Sequence, residues 1–250
     1  MKRDKPKQAH VPRFYVSAPL SGLDPINLPG DQAHHLAKVL RAQPGDPVVL
    51  FNGDGHEYLA SIGEIKKSNV LLAIERSLQV VRESPLRLTL AQGIARGDRM
   101  DNAIAKAVEL GVAELQPLFT ARGKVRLTGE RLEKKQDHWQ RIAISAAEQS
   151  GRTVVPEVRT PMSLSEFLEP PLRGLGLVLD PGADNGLNAT DHATEITLLV
   201  GPESGLTNEE LEQAKRVGYT PLRFGPRILR TETAGPACLA ALQTLWGDLG

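Results

Sequence analysis

The chain has 250 residues, 40% apolar and 24% charged, with 30 Lys/Arg balanced by 30 Asp/Glu. That is globular material for one large domain or two small ones, and it excludes a polycation and an acidic disordered chain. One cysteine, Cys238, excludes a disulfide framework and a cysteine-built zinc site and suits a reducing compartment; no apolar run reaches the roughly 18 residues of a membrane helix, and the opening MKRDKPKQAHVPRF lacks the apolar core of a secretory signal, so a cytoplasmic protein is expected.

Charge is unevenly spread. Residues 1–82 carry 11 Lys/Arg against 8 Asp/Glu, and residues 83–250 carry 19 against 22. The N-terminal part is the place for a polyanion to land, or the bias is compositional noise. Residues 1–11 read as a basic arm. Phe14-Tyr15-Val16 is a short apolar run. Asp31 opens a helix with Ala33, Leu36, Ala37 and Leu40 on one face and His34, Lys38 and Arg41 on the other. Val48–Phe51, Glu57–Ile62 and Val70–Glu75 read as strands, with Asn52-Gly53-Asp54-Gly55 a hairpin turn. Short strands with glycine turns predict a small β-barrel over residues 12–82.

From about residue 83 the pattern changes. Leu86–Gln92 reads as a strand. Met100, Ala103, Ile104, Ala107, Val108 and Gly111 mark a helix face, Glu114–Phe119 a strand, and residues 129–149 a long helix. Leu175–Asp180 and Ile196–Val200 are apolar throughout, as in a parallel sheet covered on both faces. Thr207 and Glu210 form a capping box. A last helix, Thr233–Trp246, carries Ala234, Ala237, Cys238, Ala241, Leu242 and Leu245 on one stripe. Strands alternating with helices predict an α/β domain over residues 83–250.

The chain lacks G-x-G-x-x-G after a strand, a P-loop, a G-x-S-x-G elbow and H-E-x-x-H. Its six histidines form no chelating pattern, so no metal is expected. Glycine, proline and charge concentrate instead after three strands: Asp180-Pro181-Gly182, Gly201-Pro202-Glu203-Ser204-Gly205-Leu206, and Leu222–Thr233. Ligands in α/β folds sit at strand ends, and glycine lets backbone approach a flat ligand. Arg227 and Arg230 offer fixed guanidinium groups to a phosphate or a developing negative charge. Thr231-Glu232-Thr233 then caps the final helix; the plain alternative is a structural turn before a helix, with Glu232 and Arg230 as cap and surface pair.

GPESGLTNEE, LRFGPRILRTETA and AAEQSGR together resemble the RsmE-type 16S ribosomal RNA uridine-N3 methyltransferase family of the SPOUT (trefoil-knot) superfamily. PRFYV, HHLAKVLRAQPGD and FNGDGHEY are similar to that family's PUA-like RNA-binding barrel, and MDNAIAKAVELGVAELQPL to its first catalytic-domain helix and strand. The similarity spans nearly the whole chain. One departure is Ser204, where the family commonly has glycine; a serine with negative φ changes the loop locally without loss of cofactor binding.

The resemblance implies an α/β fold: a C-terminal trefoil-knotted SPOUT methyltransferase domain behind a small N-terminal PUA-like β-barrel, acting as a homodimer. It implies S-adenosylmethionine as cofactor, held by Leu179, Asp180, Pro181, Gly201, Pro202, Glu203, Gly205, Leu222, Gly225, Ile228, Leu229, Arg230 and Thr231. Uridine N3 carries a proton at neutral pH, so the site must stabilise the uridine anion or accept that proton. Arg230, Glu232 and Arg227 are the catalytic candidates, with Glu203 as either base or loop anchor. 16S ribosomal RNA, or the small subunit, is the partner. Arg13, His34, Lys38, Arg41, Arg122, Lys124, Gln149 and Arg152 are the candidate RNA contacts. Two other readings stand beside this one: methylation of another RNA atom such as a ribose 2′-hydroxyl, and a catalytically silent RNA-binding assembly factor.

Overall fold

A computed structural model describes residues 11–20, 25–66 and 69–250. All of the basic arm except Val11 lies outside them. The chain forms two compact units, residues 1–82 with 151–154, and residues 83–150 with 155–250.

In the first unit, Val70, Leu72 and Ile74 are buried while their neighbours Leu71, Ala73 and Glu75 are exposed, the period-2 signature of a strand with one covered face. Five strands, β1 (Arg13–Tyr15), β2 (Ile26–Pro29), β3 (Pro47–Phe51), β4 (His56–Ile65) and β5 (Asn69–Gln79), pair in the order β1-β3-β4-β5-β2. β1 runs parallel to β3, and the other pairs are antiparallel. The core holds Phe14, Leu28, Leu36, Leu50, Tyr58 and Ile62. The β3–β4 turn uses Gly53 and Gly55 at φ 96° and 82°. Among the strands, β2 is one the periodicity does not reveal.

The helix of this unit differs from the expectation. Gly30–His34 is α-helical (α1), but His35–Val39 continues as a π-helix, with Leu40 N–H on the His35 carbonyl. The wider turn buries Leu36, leaves Leu40 44% exposed, and places Arg41 beyond the helix at φ 52°. His34, Lys38 and Arg41 are all exposed, but they do not share one α-helical face.

Residues 151–154 are held to this unit by arginine. Arg13 and Arg82 both pair with Glu57, Arg82 at 2.7 Å. Arg13 Nη2 donates to the Arg152 carbonyl at 2.8 Å and Arg82 Nη1 to the Gly151 carbonyl at 2.7 Å. The Arg13 and Glu57 side chains are 10% and 9% exposed, and their pairing offsets the cost of burying them.

The second unit is a parallel sheet of β6 (Arg87–Gly93), β7 (Glu114–Phe119), β8 (Glu157–Val158), β10 (Leu175–Leu179), β11 (Glu195–Val200) and β12 (Tyr219–Leu222) in the order β12-β10-β11-β6-β7-β8, with β9 (Met162–Ser163) also on β7. Buried Leu177, Val178, Leu198 and Leu199 explain the apolar runs read in the sequence. The helices are α2 (Asp98–Glu109), α3 (Glu130–Ser150), α4 (Leu164–Phe167), α5 (Asn208–Arg216) and α6 (Thr231–Trp246). Thr207 and Glu210 form the expected capping box on α5. α6 starts two residues earlier than the sequence indicates. It buries Thr231, Gly235, Cys238, Leu239 and Leu242, while Ala234, Ala237 and Ala241 are half-buried and Leu245 is 50% exposed. Among the described residues no helix is long and apolar enough to cross a membrane.

Candidate active site

Because β10, β11, β12 and β6 are parallel, the segments that follow them emerge at one edge of the sheet. They enclose a cavity of about 640 Å³, within the ~300–1,000 Å³ range of small-molecule sites. All thirteen residues expected to hold a cofactor line it, from Leu179 to Thr231, together with Arg227 and Glu232.

Each wall has a local cause. After β10, the Asp180 side chain accepts from Gly182 N–H at 2.9 Å and its carbonyl from Ala183 N–H at 3.1 Å, closing a tight turn. After β11, Gly205 adopts φ 69° and donates to the Pro202 carbonyl at 2.8 Å. A Cβ on Gly93 would stand 2.7 Å from Pro202, so the end of β6 meets this loop only as glycine. The loop after β12 carries Gly225 at φ 77°.

Thr231 is not a helix cap. It opens α6, donating its hydroxyl to the Gly201 carbonyl at 2.7 Å and accepting from Gln92 Nε2 at 2.9 Å. The cap position belongs to Arg230, whose carbonyl accepts from Thr233 and Ala234 N–H at 2.8 Å each. That leaves the Arg230 side chain exposed at the cavity, as Arg227 is; neither has a hydrogen bond or ion pair to a side chain among the described residues.

The carboxylates differ. Glu203 is partly buried, which opposes its charge, but bonds from Arg96 N–H (2.9 Å) and Arg99 Nη1 (2.8 Å) outweigh burial and hold it below the usual glutamate value. It is a loop anchor with its oxygen committed. Glu232 Oε1 lies 3.9 Å from Arg99 Nε, while its Oε2 is buried with no hydrogen-bond partner among the described residues. Arg99, Gln92 and Gly93 were missed in the sequence: Arg99 sits on the polar side of an amphipathic helix, and only the glycine closing a strand signals close approach.

The RNA candidates divide. Arg122 lines the cavity, donating to the Leu206 carbonyl at 3.0 Å, and Lys124 is exposed nearby in sequence. Gln149 is exposed at the end of α3. Two expectations are corrected. Arg13 is committed to Glu57 and the Arg152 carbonyl, and Arg152 is 6% exposed, so neither presents an open guanidinium to phosphate.

The model of an RNA methyltransferase domain matches residues 82–243, and that of an RNA methyltransferase PUA domain matches residues 28–75. The chain belongs to the ribosomal RNA small subunit methyltransferase E family. It is 31% identical to the Buchnera aphidicola (strain APS) member, covering 97% of this chain and 96% of that one, and 29% identical to the Bacillus subtilis member over 87% and 89%. Among solved structures it is similar to ribosomal RNA small subunit methyltransferase E from Neisseria gonorrhoeae bound to S-adenosyl methionine (40% identity, TM-score 0.90, 96% and 100% covered). It is also similar to a putative methyltransferase from Legionella pneumophila with bound SAM (38%, TM-score 0.93, 96% and 99%). Within this family fold, a methyltransferase unit with an N-terminal PUA unit, the glycine-lined cavity is the candidate active site.

Proposed function

We propose that this chain methylates N3 of a uridine in 16S ribosomal RNA, with S-adenosylmethionine as donor. The observation that carries the reading is the cavity itself: main chain from three strand-end loops on one side, two unengaged arginines and a buried carboxylate oxygen on the other. The donor fits this cradle. A Cβ on Gly201 would come within 3.0 Å of Gly205, and Gly205 and Gly225 hold left-handed φ, so flat ligand surface meets peptide groups directly. Leu179–Pro181, Gly201–Gly205 and Leu222–Thr231 would hold it.

When bound, S-adenosylmethionine supplies an electrophilic methyl group. The chain's own residues do the rest. Arg230 and Arg227, exposed at the cavity and without a side-chain partner among the described residues, stabilise the uridine anion at a carbonyl oxygen. Glu232 accepts the N3 proton. Glu203, its charge already paired with Arg99, keeps its loop in place. His34, Lys38, Arg41, Arg122, Lys124 and Gln149 offer polar and basic surface for RNA, and the target base leaves its stack to reach the cavity.

The chain acts in the cytoplasm as a homodimer with a trefoil-knotted C-terminal domain. The half-buried Ala234, Ala237 and Ala241 beside exposed Leu245 give α6 an apolar face suited to a second copy, whereas Cys238 packs inside its own subunit.

Nucleoside mass spectrometry of small-subunit RNA after reaction with the purified protein tests the chemistry. N3-methyluridine is expected. A 2′-O-methyl product redirects the same cavity to ribose, and failure to bind S-adenosylmethionine by calorimetry makes the chain a silent RNA-binding factor.

A further inference from the structure

Lys38-Val39-Leu40-Arg41 is a run of four exposed residues in the first unit, two aliphatic side chains between two cations. Val39 is 60% exposed and Leu40 44%, although Leu36 of the same turn is fully buried. Arg41 then takes φ 52°, a left-handed backbone that costs an arginine free energy and a glycine almost none. Hydrogen bonds fix the segment from both ends. Leu40 N–H reaches the His35 carbonyl at 3.0 Å, and Ala42 N–H the Leu36 carbonyl at 3.1 Å. Gln43 N–H reaches the Asp46 carboxylate at 2.7 Å, and the Asp46 carbonyl accepts from Ile62 N–H of β4 at 3.0 Å. The Lys38 and Arg41 side chains have no hydrogen bond or ion pair among the described residues. π-turns and left-handed non-glycine residues concentrate at functional sites, and here the two adjoin.

We propose that residues 38–41 form a docking edge for an unpaired RNA strand: Val39 and Leu40 pack on base faces left open by broken stacking, and Lys38 and Arg41 hold the phosphates on either side. This rests on the reading of the chain as one that acts on RNA, and on none of its catalytic residues. Charge and shape together select the partner. The two cations match a phosphate backbone. An A-form duplex presents phosphate and ribose hydroxyl while its base faces are stacked away, so two aliphatic side chains have nothing to cover there. An unpaired strand offers the charge and the apolar face at once, and aliphatic wedges against unstacked bases have a counterpart in proteins that kink DNA.

The backbone of Arg41 separates this role from a structural one. Glycine at position 41 relieves the left-handed conformation and removes one cation. If the side chain served only the fold, that exchange would leave RNA binding as it was. If it holds a phosphate, the chain becomes no less stable and binds RNA less well. The apolar pair gives a second, independent signature, because losing an apolar contact weakens binding without releasing counterions.

The test uses the full-length native chain, the V39S/L40S double variant and R41G, all without cofactor. Fluorescence anisotropy follows binding to a short unpaired RNA, and to the duplex of the same sequence with its complement, over a range of salt. The native chain is expected to prefer the unpaired strand. V39S/L40S is expected to bind that strand roughly tenfold more weakly, the scale of one large apolar side chain returned to water, with its salt slope and its duplex binding unchanged. R41G is expected to lower the slope by about 0.7 for one lost phosphate contact, while melting at the native temperature or above. A native chain without preference for the unpaired strand overturns the proposal, as does V39S/L40S binding it as tightly as the native chain, or R41G with a native slope. A native dimer in sedimentation that V39S/L40S dissociates also overturns it, giving the patch to a second copy. None of these readouts involves methyl transfer, so a failure of the uridine-N3 reading is seen separately, in the nucleoside product.

Discussion

The Ser204 hydroxyl donates to the main-chain carbonyl of Arg122 at 2.8 Å, and the Arg122 guanidinium returns bonds to the carbonyls of Ser204 (3.4 Å) and Leu206 (3.0 Å). The residue that departs from the family's usual glycine thus clasps the loop after β7 to the loop after β11. Its backbone carries no left-handed strain, since Arg41 is the non-glycine residue with positive φ among those described. The substitution exchanges backbone freedom for a hydrogen bond.

Ser204→Ala removes that bond while keeping a Cβ. A partly exposed hydrogen bond contributes about 0.5–1.5 kcal/mol, so cofactor affinity is expected to weaken by roughly two- to tenfold, read by calorimetry. Ser204→Gly adds backbone freedom to the unbound loop and is expected to lose more. Equal affinity in all three chains removes the clasp from the account of binding.

Gly93→Ala places a Cβ 2.7 Å from Pro202 Cδ and N. Neither atom is the tip of a flexible side chain, so the loop must move. Overpacking of this kind costs about 1–3 kcal/mol, seen as a lower melting temperature, with cofactor binding lost as the loop shifts. A native melting curve with native affinity refutes the close approach.

Arg230→Ala is expected to reduce turnover by about 10²–10³-fold, the scale for a donor that stabilises charge only in the transition state, with a much smaller change in cofactor affinity. Its carbonyl, the part that starts α6, is untouched. Rate constants set beside binding isotherms decide this. Equal losses in rate and affinity make Arg230 a cofactor contact instead.

Glu203 links stability to pH. Its folded-state value lies below the ordinary 4.5. The stabilisation is therefore complete above the unfolded value and disappears as pH falls through the folded one. Urea midpoints measured from pH 6 downward are expected to drop below about pH 4.5 more steeply in the native chain than in Glu203→Gln. Parallel curves dismiss the contribution.

The sequence revealed whatever a period or a turn residue announces. Leu177–Leu179 and Leu198–Val200 are apolar because the sheet is covered on both faces, and Thr207 with Glu210 marks the start of α5. The glycine-proline segments disclosed the cavity because its walls are backbone. Other features had no local signal. Tyr219-Thr-Pro-Leu222 and Ile26-Asn-Leu-Pro29 are short and contain proline, yet pair through their neighbours. The apolar spacing of Ala33, Leu36 and Leu40 fits an α-helix, but tertiary packing chose a π-turn that buries Leu36 and releases Leu40. Arg13 and Arg152 carry charges that suit RNA, and only the folded chain shows Arg13 paired with Glu57 and Arg152 buried. Arg99 was indistinguishable from a solvated helix charge until Glu203, 104 positions away, was seen on it.

The membership of residues 151–154 in the first compact unit bears on how the gene can be divided. A fragment starting at Glu83 takes the Gly151 and Arg152 carbonyls without their arginine donors, and one ending at Arg82 keeps Arg13, Glu57 and Arg82 without those acceptors. A cut between Arg82 and Glu83 therefore breaks the same hydrogen bonds in both halves.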